Sequence, residues 1–223
     1  MGIAPAADAC GLRPLSTRGA VMMILRTSPA SPFGRKVTIA AHVLGLHDEI
    51  TVERADTTDP ADSMRRQNPV GKIPILITDD GTTLFDSRVI AEYLDHRAGG
   101  GRIIPAEPAA RFAALTLQAL CDGLMDASLL QVYEGRWRSA DHHEPKWLEH
   151  QAGKVTRSLA RLEAEPPAID APPHIGAIAL ACALGYQDLR FAGRWRADHP
   201  RLVAWLDDFE RRVPSFVATR VTS

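Results

Sequence analysis

The stretch Asn68–Leu76, Asn-Pro-Val-Gly-Lys-Ile-Pro-Ile-Leu, decides how this chain is read, together with the Asp86-Ser87 pair that follows it. Pro74 stands inside the apolar run Ile73-Pro74-Ile75-Leu76-Ile77. Proline donates nothing to a sheet ladder and is confined to edges, bulges and strand starts. A strand that begins on Pro74 leaves the main-chain groups of Ile73 turned away from the sheet, free to pair with an extended peptide as an added strand would. A turn at Asp79-Asp80-Gly81 and a second strand over Thr82–Phe85 come next. Asp86-Ser87 then falls at the start of an apolar-periodic helix, a place that suits capping and also suits gripping a charged ligand. A plain hairpin and a capped helix would use the same residues, so this segment alone does not settle function.

The upstream residues do more. Ile24-Leu25-Arg26 reads as a strand, Thr27–Phe33 (TSPASPF) as a turn, and GRKVTIAAHVLGL as a helix with apolar spacing at Val37, Ala40, Ala41 and Leu44. Serines and prolines at such a turn place hydroxyls beside the unpaired N–H groups of the first helical turn. Strand, serine-bearing turn, helix, strand (Ile50–Arg54), IPIL, FDS and helix: this order resembles the thioredoxin-like domain of the glutathione transferases. The resemblance runs from about Met23 to the end of the chain and rests on SPF, NPxGKxP and FDS in combination. It implies an α/β thioredoxin-like domain over 22–98 that binds glutathione, followed by an all-helical domain over 107–223.

The C-terminal half reads as helical on its own pattern. Ala109–Trp137 carries Leu115, Leu117, Leu120, Leu124, Met125, Leu129 and Leu130, which predicts a long, substantially buried helix. Further helices are expected over Pro145–Glu163, over Ile175–Leu189 as an apolar spine, and over Pro200–Val213, with a short one opening at Pro214-Ser215-Phe216. One feature departs from the family pattern, which opens the spine with Ser or Thr followed three residues later by Asp. Here His174 and Ala177 hold those places, and histidine ranks low as an N-cap. The spine is expected to start less securely, capped by the His174 ring, by backbone or by water.

Composition sets limits on the rest. With 223 residues the chain suffices for one large or two modest domains, and a net charge of −1 leaves no electrostatic footprint for nucleic acid or an anionic membrane. Cys10, Cys121 and Cys182 are odd in number and widely spaced, which fits thiols in a reducing compartment better than a disulfide frame. No apolar run reads as a membrane span, and a cytoplasmic location is expected. Residues 1–21 are small, punctuated by Pro and Gly, and aperiodic; they read as a disordered extension. His142, His143 and His150 lack carboxylates or cysteines at ligand spacing, so no metal site is expected.

Glutathione's thiol, like free cysteine, has a pKa of roughly 8.5, so the enzyme must favour the thiolate. A serine hydroxyl is too weak a base for this, but it can donate a hydrogen bond to the sulfur in front of a helix N-terminus. Ser31 occupies the place where serine-type and cysteine-type transferases resembling this chain carry their reactive residue, with Ser28 the other candidate. A cysteine there could run thiol transfer through a mixed disulfide; a serine cannot, which favours conjugation. The resemblance further implies main-chain bonds from Ile73 to the cysteinyl unit with Pro74 in the cis form. It implies Asp86 and Ser87 on the γ-glutamyl end, Phe33 beside the thiol and Lys72 near the glycyl carboxylate. Glutathione would be a co-substrate beside a small electrophile, seated between the domains against the first long helix near Asp122, Met125 and Tyr133. A homodimer is expected, and a non-catalytic glutathione-binding or protein-interaction member of the same fold is the alternative reading.

Overall fold

The computed structural model describes residues 22–221. The expected extension over 1–21 and Cys10 lie outside the described residues. Four strands, β1 (Met23–Thr27), β2 (Ile50–Arg54), β3 (Ile75–Ile77) and β4 (Thr83–Leu84), form one mixed sheet in the order β2-β1-β3-β4. β1 runs parallel to β2 and antiparallel to β3, and β4 is antiparallel to β3. The parallel pair needs a crossover, and the helix α1 (Pro32–Leu44) supplies it. A short helix α2 (Met64–Gln67) precedes β3, and α3 (Ser87–Arg97) follows β4. This is a thioredoxin-like domain.

Why α1 forms here is local. Ser31 is the N-cap, Pro32 occupies the first turn, and Val37, Ile39, Ala40, Ala41 and Leu44 turn one face inward. That face meets Met23 and Leu25 of β1 and Ile90, Ala91 and Leu94 of α3 in a single core. Burying one such aliphatic side chain stabilises the fold by roughly 1.5–3 kcal/mol.

The segment after α3 is no loose tether. Asp95, itself buried at the end of α3, accepts hydrogen bonds from the main chain of Gly101, Arg102 and Ile103 at 2.8–3.0 Å. Ile103 and Ile104 drop into the core, and the Ile103 carbonyl accepts from Ile175 N at 2.8 Å. Beyond it stand α4 (Pro108–Trp137), α5 (Pro145–Ala164), α6 (Ile175–Phe191), α7 (Pro200–Arg212) and α8 (Pro214–Ala218). By length and composition α4 could cross a bilayer, but Asp122 and Asp126 sit in its middle, and it packs along α5 and α6.

The apolar spine expected over Ile175–Leu189 is α6, buried without a break from Ile175 to Leu184. Its start uses one of the caps expected for it. The His174 ring caps it, Nδ1 accepting from Gly176 N at 3.1 Å and more loosely from Ala177 N at 3.4 Å. A neutral imidazole has one unprotonated nitrogen, and here that nitrogen does the work of a serine oxygen.

Candidate functional site

The sheet register brings three chain segments to one end of the first domain. Arg26 pairs with Ile75, so the residues just before β3, Ile73 and Pro74, lie beside the exit from β1 at Thr27 and Ser28. Leu84 pairs with Leu76, which carries Phe85, Asp86 and the N-terminus of α3 to the same end. The site is therefore a meeting of a strand exit, a strand entry and two helix N-termini.

The two serine candidates differ in their surroundings. Ser31 Oγ accepts from Gly34 N at 3.1 Å, while the Ser31 carbonyl accepts from Arg35 N at 3.0 Å. Ser28 holds the turn instead, its carbonyl accepting from Ser31 N at 2.9 Å. An accepting Oγ keeps its own O–H available to donate outward. Gly34 has to be glycine: a Cβ there would fall 1.8 Å from Thr27 Oγ1, inside the β1 exit. Phe33, half-buried, packs onto the main core, its ring 5.8 Å from Lys36 Nζ.

Opposite Ser31, the Ile73–Pro74 peptide is cis. Ile73 lies outside β3, and neither its N–H nor its carbonyl enters a turn, loop or cap hydrogen bond among the described residues. Asn68, buried, holds this loop in place: its side chain donates to the Lys72 carbonyl at 2.8 Å and accepts from Val70 N at 3.0 Å. Lys72 itself is exposed.

At the third corner Asp86 caps α3, Oδ1 accepting from Arg88 N at 2.9 Å, with most of its carboxylate open to solvent. Ser87 is buried and its hydroxyl makes no side-chain hydrogen bond among the described residues. Behind this corner lies a charge cluster that sequence reading missed. Lys36 Nζ, fully buried, meets Asp122 Oδ1 at 2.6 Å. Arg88 Nε lies 3.2 Å from Asp122 Oδ2, close enough to pair though not aligned as a hydrogen bond, and 3.9 Å from Asp86 Oδ2. The signal was a lysine on the buried face of α1, next to Val37; the partner lies 86 positions away on another helix. Asp126, one turn beyond Asp122, has its carboxyl held above the usual range by burial, with Lys72 and Arg88 pulling the other way.

The residues named for the co-substrate separate. Asp122 is committed to Lys36, and Met125 is wholly inside the core. Tyr133 faces the Arg136 guanidinium at 5.0 Å. The open cavity at Ser31, of about 670 Å³, lies on the other side, between the β1–α1 turn and α6–α8, and no α4 residue lines it. Burial pushes the Cys182 thiol on its wall up to about 12, and the Cys121 thiol higher, so neither is a nucleophile near neutrality. Among the described residues no three His, Cys, Asp or Glu side chains cluster as metal ligands. His142 instead bonds Ser139 Oγ at 2.9 Å, His143 lies 3.3 Å from the Arg138 carbonyl, and His150 stacks on Trp147.

Residues 30–97 match the family model described as glutathione S-transferase, N-terminal domain, and residues 145–208 the one described as glutathione S-transferase, C-terminal domain. The uncharacterized GST-like protein YibF of Escherichia coli (strain K12) is 34% identical over 201 residues, covering 88% of this chain and 98% of that protein. A glutathione transferase family member from Pseudomonas fluorescens Pf-5, solved with bound glutathione, superposes with a TM-score of 0.82 at 41% identity over 90% of this chain and 100% of its own. A structure from the same source with bound S-(propanoic acid)-glutathione gives 0.78 and 42% over the same shares. A glutathione S-transferase from Methylobacillus flagellatus KT with glutathione bound gives 0.80 at 35% identity, over 90% of this chain and 100% of that one.

Proposed function

The chain belongs to the glutathione S-transferase family, and from that premise we propose that it is a glutathione transferase that activates the thiol of glutathione for attack on a small electrophile. The observation that carries this reading is the state of Ser31. Its Oγ is satisfied as an acceptor by Gly34 N, and its O–H is left to donate to a sulfur lying in front of α1. Such a bond favours thiolate over thiol, and the helix N-terminus adds partial positive charge.

The peptide lies, in this reading, along the edge that Ile73 leaves open. The Ile73 main chain pairs with the cysteinyl unit, and Asp86 and Ser87 take the γ-glutamyl ammonium and carboxylate. Lys72 meets the glycyl carboxylate and Phe33 walls the thiol. Arg88, whose Nε lies 3.2 Å from Asp122 Oδ2, stands 3.9 Å from Asp86 Oδ2 at the same corner. The thiolate then attacks the electrophile and a carbon–sulfur bond forms; in a substitution the leaving group departs with its bonding pair, and in an addition the π pair moves onto the neighbouring atom, which takes a proton from solvent. The Pseudomonas fluorescens relative with a propanoic acid on the glutathione sulfur supports a product of this kind. A cytoplasmic homodimer completes the proposal, with detoxification of electrophiles as its role.

Calorimetry with glutathione and a conjugation assay with 1-chloro-2,4-dinitrobenzene test it. Saturable glutathione binding together with turnover above the uncatalysed rate is expected. Binding without turnover over a broad electrophile panel would favour the non-catalytic member of the fold, and no binding would end both.

A further inference from the structure

The cavity beside Ser31 is ionic for a site that takes an electrophile, and its charges are unequally matched. Arg196 is held by Asp188 in a two-point contact, at 2.9 and 2.6 Å. Arg220 is bonded to Glu210. Asp207 is exposed at the rim on the Arg196 side. Arg35, one turn beyond Ser31 on α1, has no carboxylate within ion-pair distance among the described residues, and Glu210 and Asp188 act on it only from further off. Its Nη2 donates to the Phe216 carbonyl at 2.6 Å and its Nε to Thr219 Oγ1 at 3.2 Å, and its guanidinium carbon sits 4.0 Å from the centre of the Phe216 ring.

Those contacts fix the plane of Arg35 and use two of its nitrogens. The third, Nη1, makes no hydrogen bond among the described residues. It occupies a space that exists because residue 185 is glycine: a Cβ there would stand 2.5 Å from Nη1. Burial holds the Arg35 pKa below the ordinary arginine value and Arg220 adds to the effect, while Cys182, Glu210 and Asp188 pull the other way. A pre-oriented guanidinium with an unbonded Nη1, in a cavity that Ser31 also lines, has the chemistry to receive a carboxylate.

We propose that this cavity binds electrophiles bearing a carboxylate, and that Arg35 holds that group while the glutathione sulfur attacks at the other end. This rests on the transferase reading above and deepens it by naming the substrate class. With an aryl halide the balance is simple: the thiolate forms the carbon–sulfur bond at the ring carbon that carries chlorine, and chloride leaves with the bonding pair. Arg35 takes no part in bond making; it sets which ring enters and how.

The test uses 4-chloro-3-nitrobenzoate and 4-chloro-3-nitrobenzamide, each rate divided by its uncatalysed rate with glutathione. The full-length protein should prefer the acid by about tenfold or more in kcat/KM, an amount typical of one charge-assisted contact. Arg35→Gln should remove most of that preference, chiefly through KM for the acid, and Arg35→Lys should restore part of it. Equal rates for acid and amide in the unaltered protein would overturn the proposal. So would an Arg35→Gln protein that loses both activities in equal measure, since that is the mark of a strut to Phe216. Should Arg35→Gln not fold, or should no electrophile turn over, calorimetry of the glutathione-loaded unaltered protein decides. Binding of 3-nitrobenzoate but not 3-nitrobenzamide supports the carboxylate receptor independently of catalysis, and equal binding of the two overturns it.

Discussion

Lys36 and Asp122 meet at 2.6 Å with both side chains withdrawn from water, so the thioredoxin-like domain and the helical domain are pinned to each other through α1 and α4. Arg88 reaches the same carboxylate from α3 and stands next to Asp86, so the pin extends to the corner proposed for the γ-glutamyl group. Domain packing and the proposed γ-glutamyl corner share one charge cluster.

Removing one partner of a buried pair leaves an uncompensated charge and costs about 3–5 kcal/mol, whereas replacing both with apolar groups is often neutral or stabilising. Asp122→Ala is therefore expected to lower the urea midpoint severely, and Lys36→Met with Asp122→Leu to recover most of it. The double variant should still bind glutathione more weakly, because Arg88 has lost its anchor. Equal stability of the single and double variants in urea titrations would show that the pair is not the pin described here.

Ser31 is an N-cap in the structure and a thiol donor in the proposal, and the two separate in experiment. As an N-cap its loss costs roughly 0.5–2 kcal/mol of stability, visible in denaturation. As a donor to the sulfur its loss costs up to about 2.7–4 kcal/mol of transition-state stabilisation, reduced here because the helix N-terminus remains. Ser31→Ala is expected to lower turnover far more than glutathione affinity, and Ser28→Ala to change both little. A silent Ser31→Ala beside a crippled Ser28→Ala reverses the assignment.

Local patterns in the sequence reached far. The proline inside Ile73–Ile77, the serine turn before α1, the cap at Asp86 and the apolar spine of α6 are all short-range signals, and the structure places each where it was expected. What was not legible depends on distance or on geometry that propensities average away. The partnership of Lys36 with Asp122 spans 86 positions. The cavity at Ser31 takes its walls from α1, α6, α7 and α8, whose charged residues each look like an ordinary solvated face in isolation. His174 was ranked poor as a cap by general preference, although the ring nitrogen accepts as well as a hydroxyl once the backbone brings it over Gly176.

That imidazole cap makes stability depend on pH. Burial lowers the His174 pKa from 6.5, with Asp170 opposing, and burial beside His47 lowers that of His42 in the same way. The folded state thus prefers neutral rings, and the unfolded chain binds more protons as pH falls through 6.5. Stability should be full above about pH 7. It should decline progressively below 6.5, as protonation takes the acceptor from Gly176 and Ala177. His174→Asn keeps a cap that does not titrate, so its urea midpoint should drop less between pH 7.5 and 5.5. Parallel curves for the two proteins would remove His174 from the account.

The expected dimer also finds surface to work with. Val89 on α3 is 47% exposed and Phe112 on α4 is 67% exposed. The ion pair between Arg111 and Glu92 joins the same two helices. Isolated exposed apolar residues are common, but a ring on α4 and a branched aliphatic on α3 supply apolar anchors that two-fold pairing of these helices would cover. Leu115, Leu117 and Leu120 are half-buried, packed in part on the chain's own core. Light scattering at micromolar concentration is expected to give twice the 24.3 kDa of one chain. Phe112→Glu should shift it toward one chain, since a pairing interface would have to desolvate the new carboxylate. A mass of one chain for the unaltered protein at every concentration would show that Val89 and Phe112 are simply surface residues.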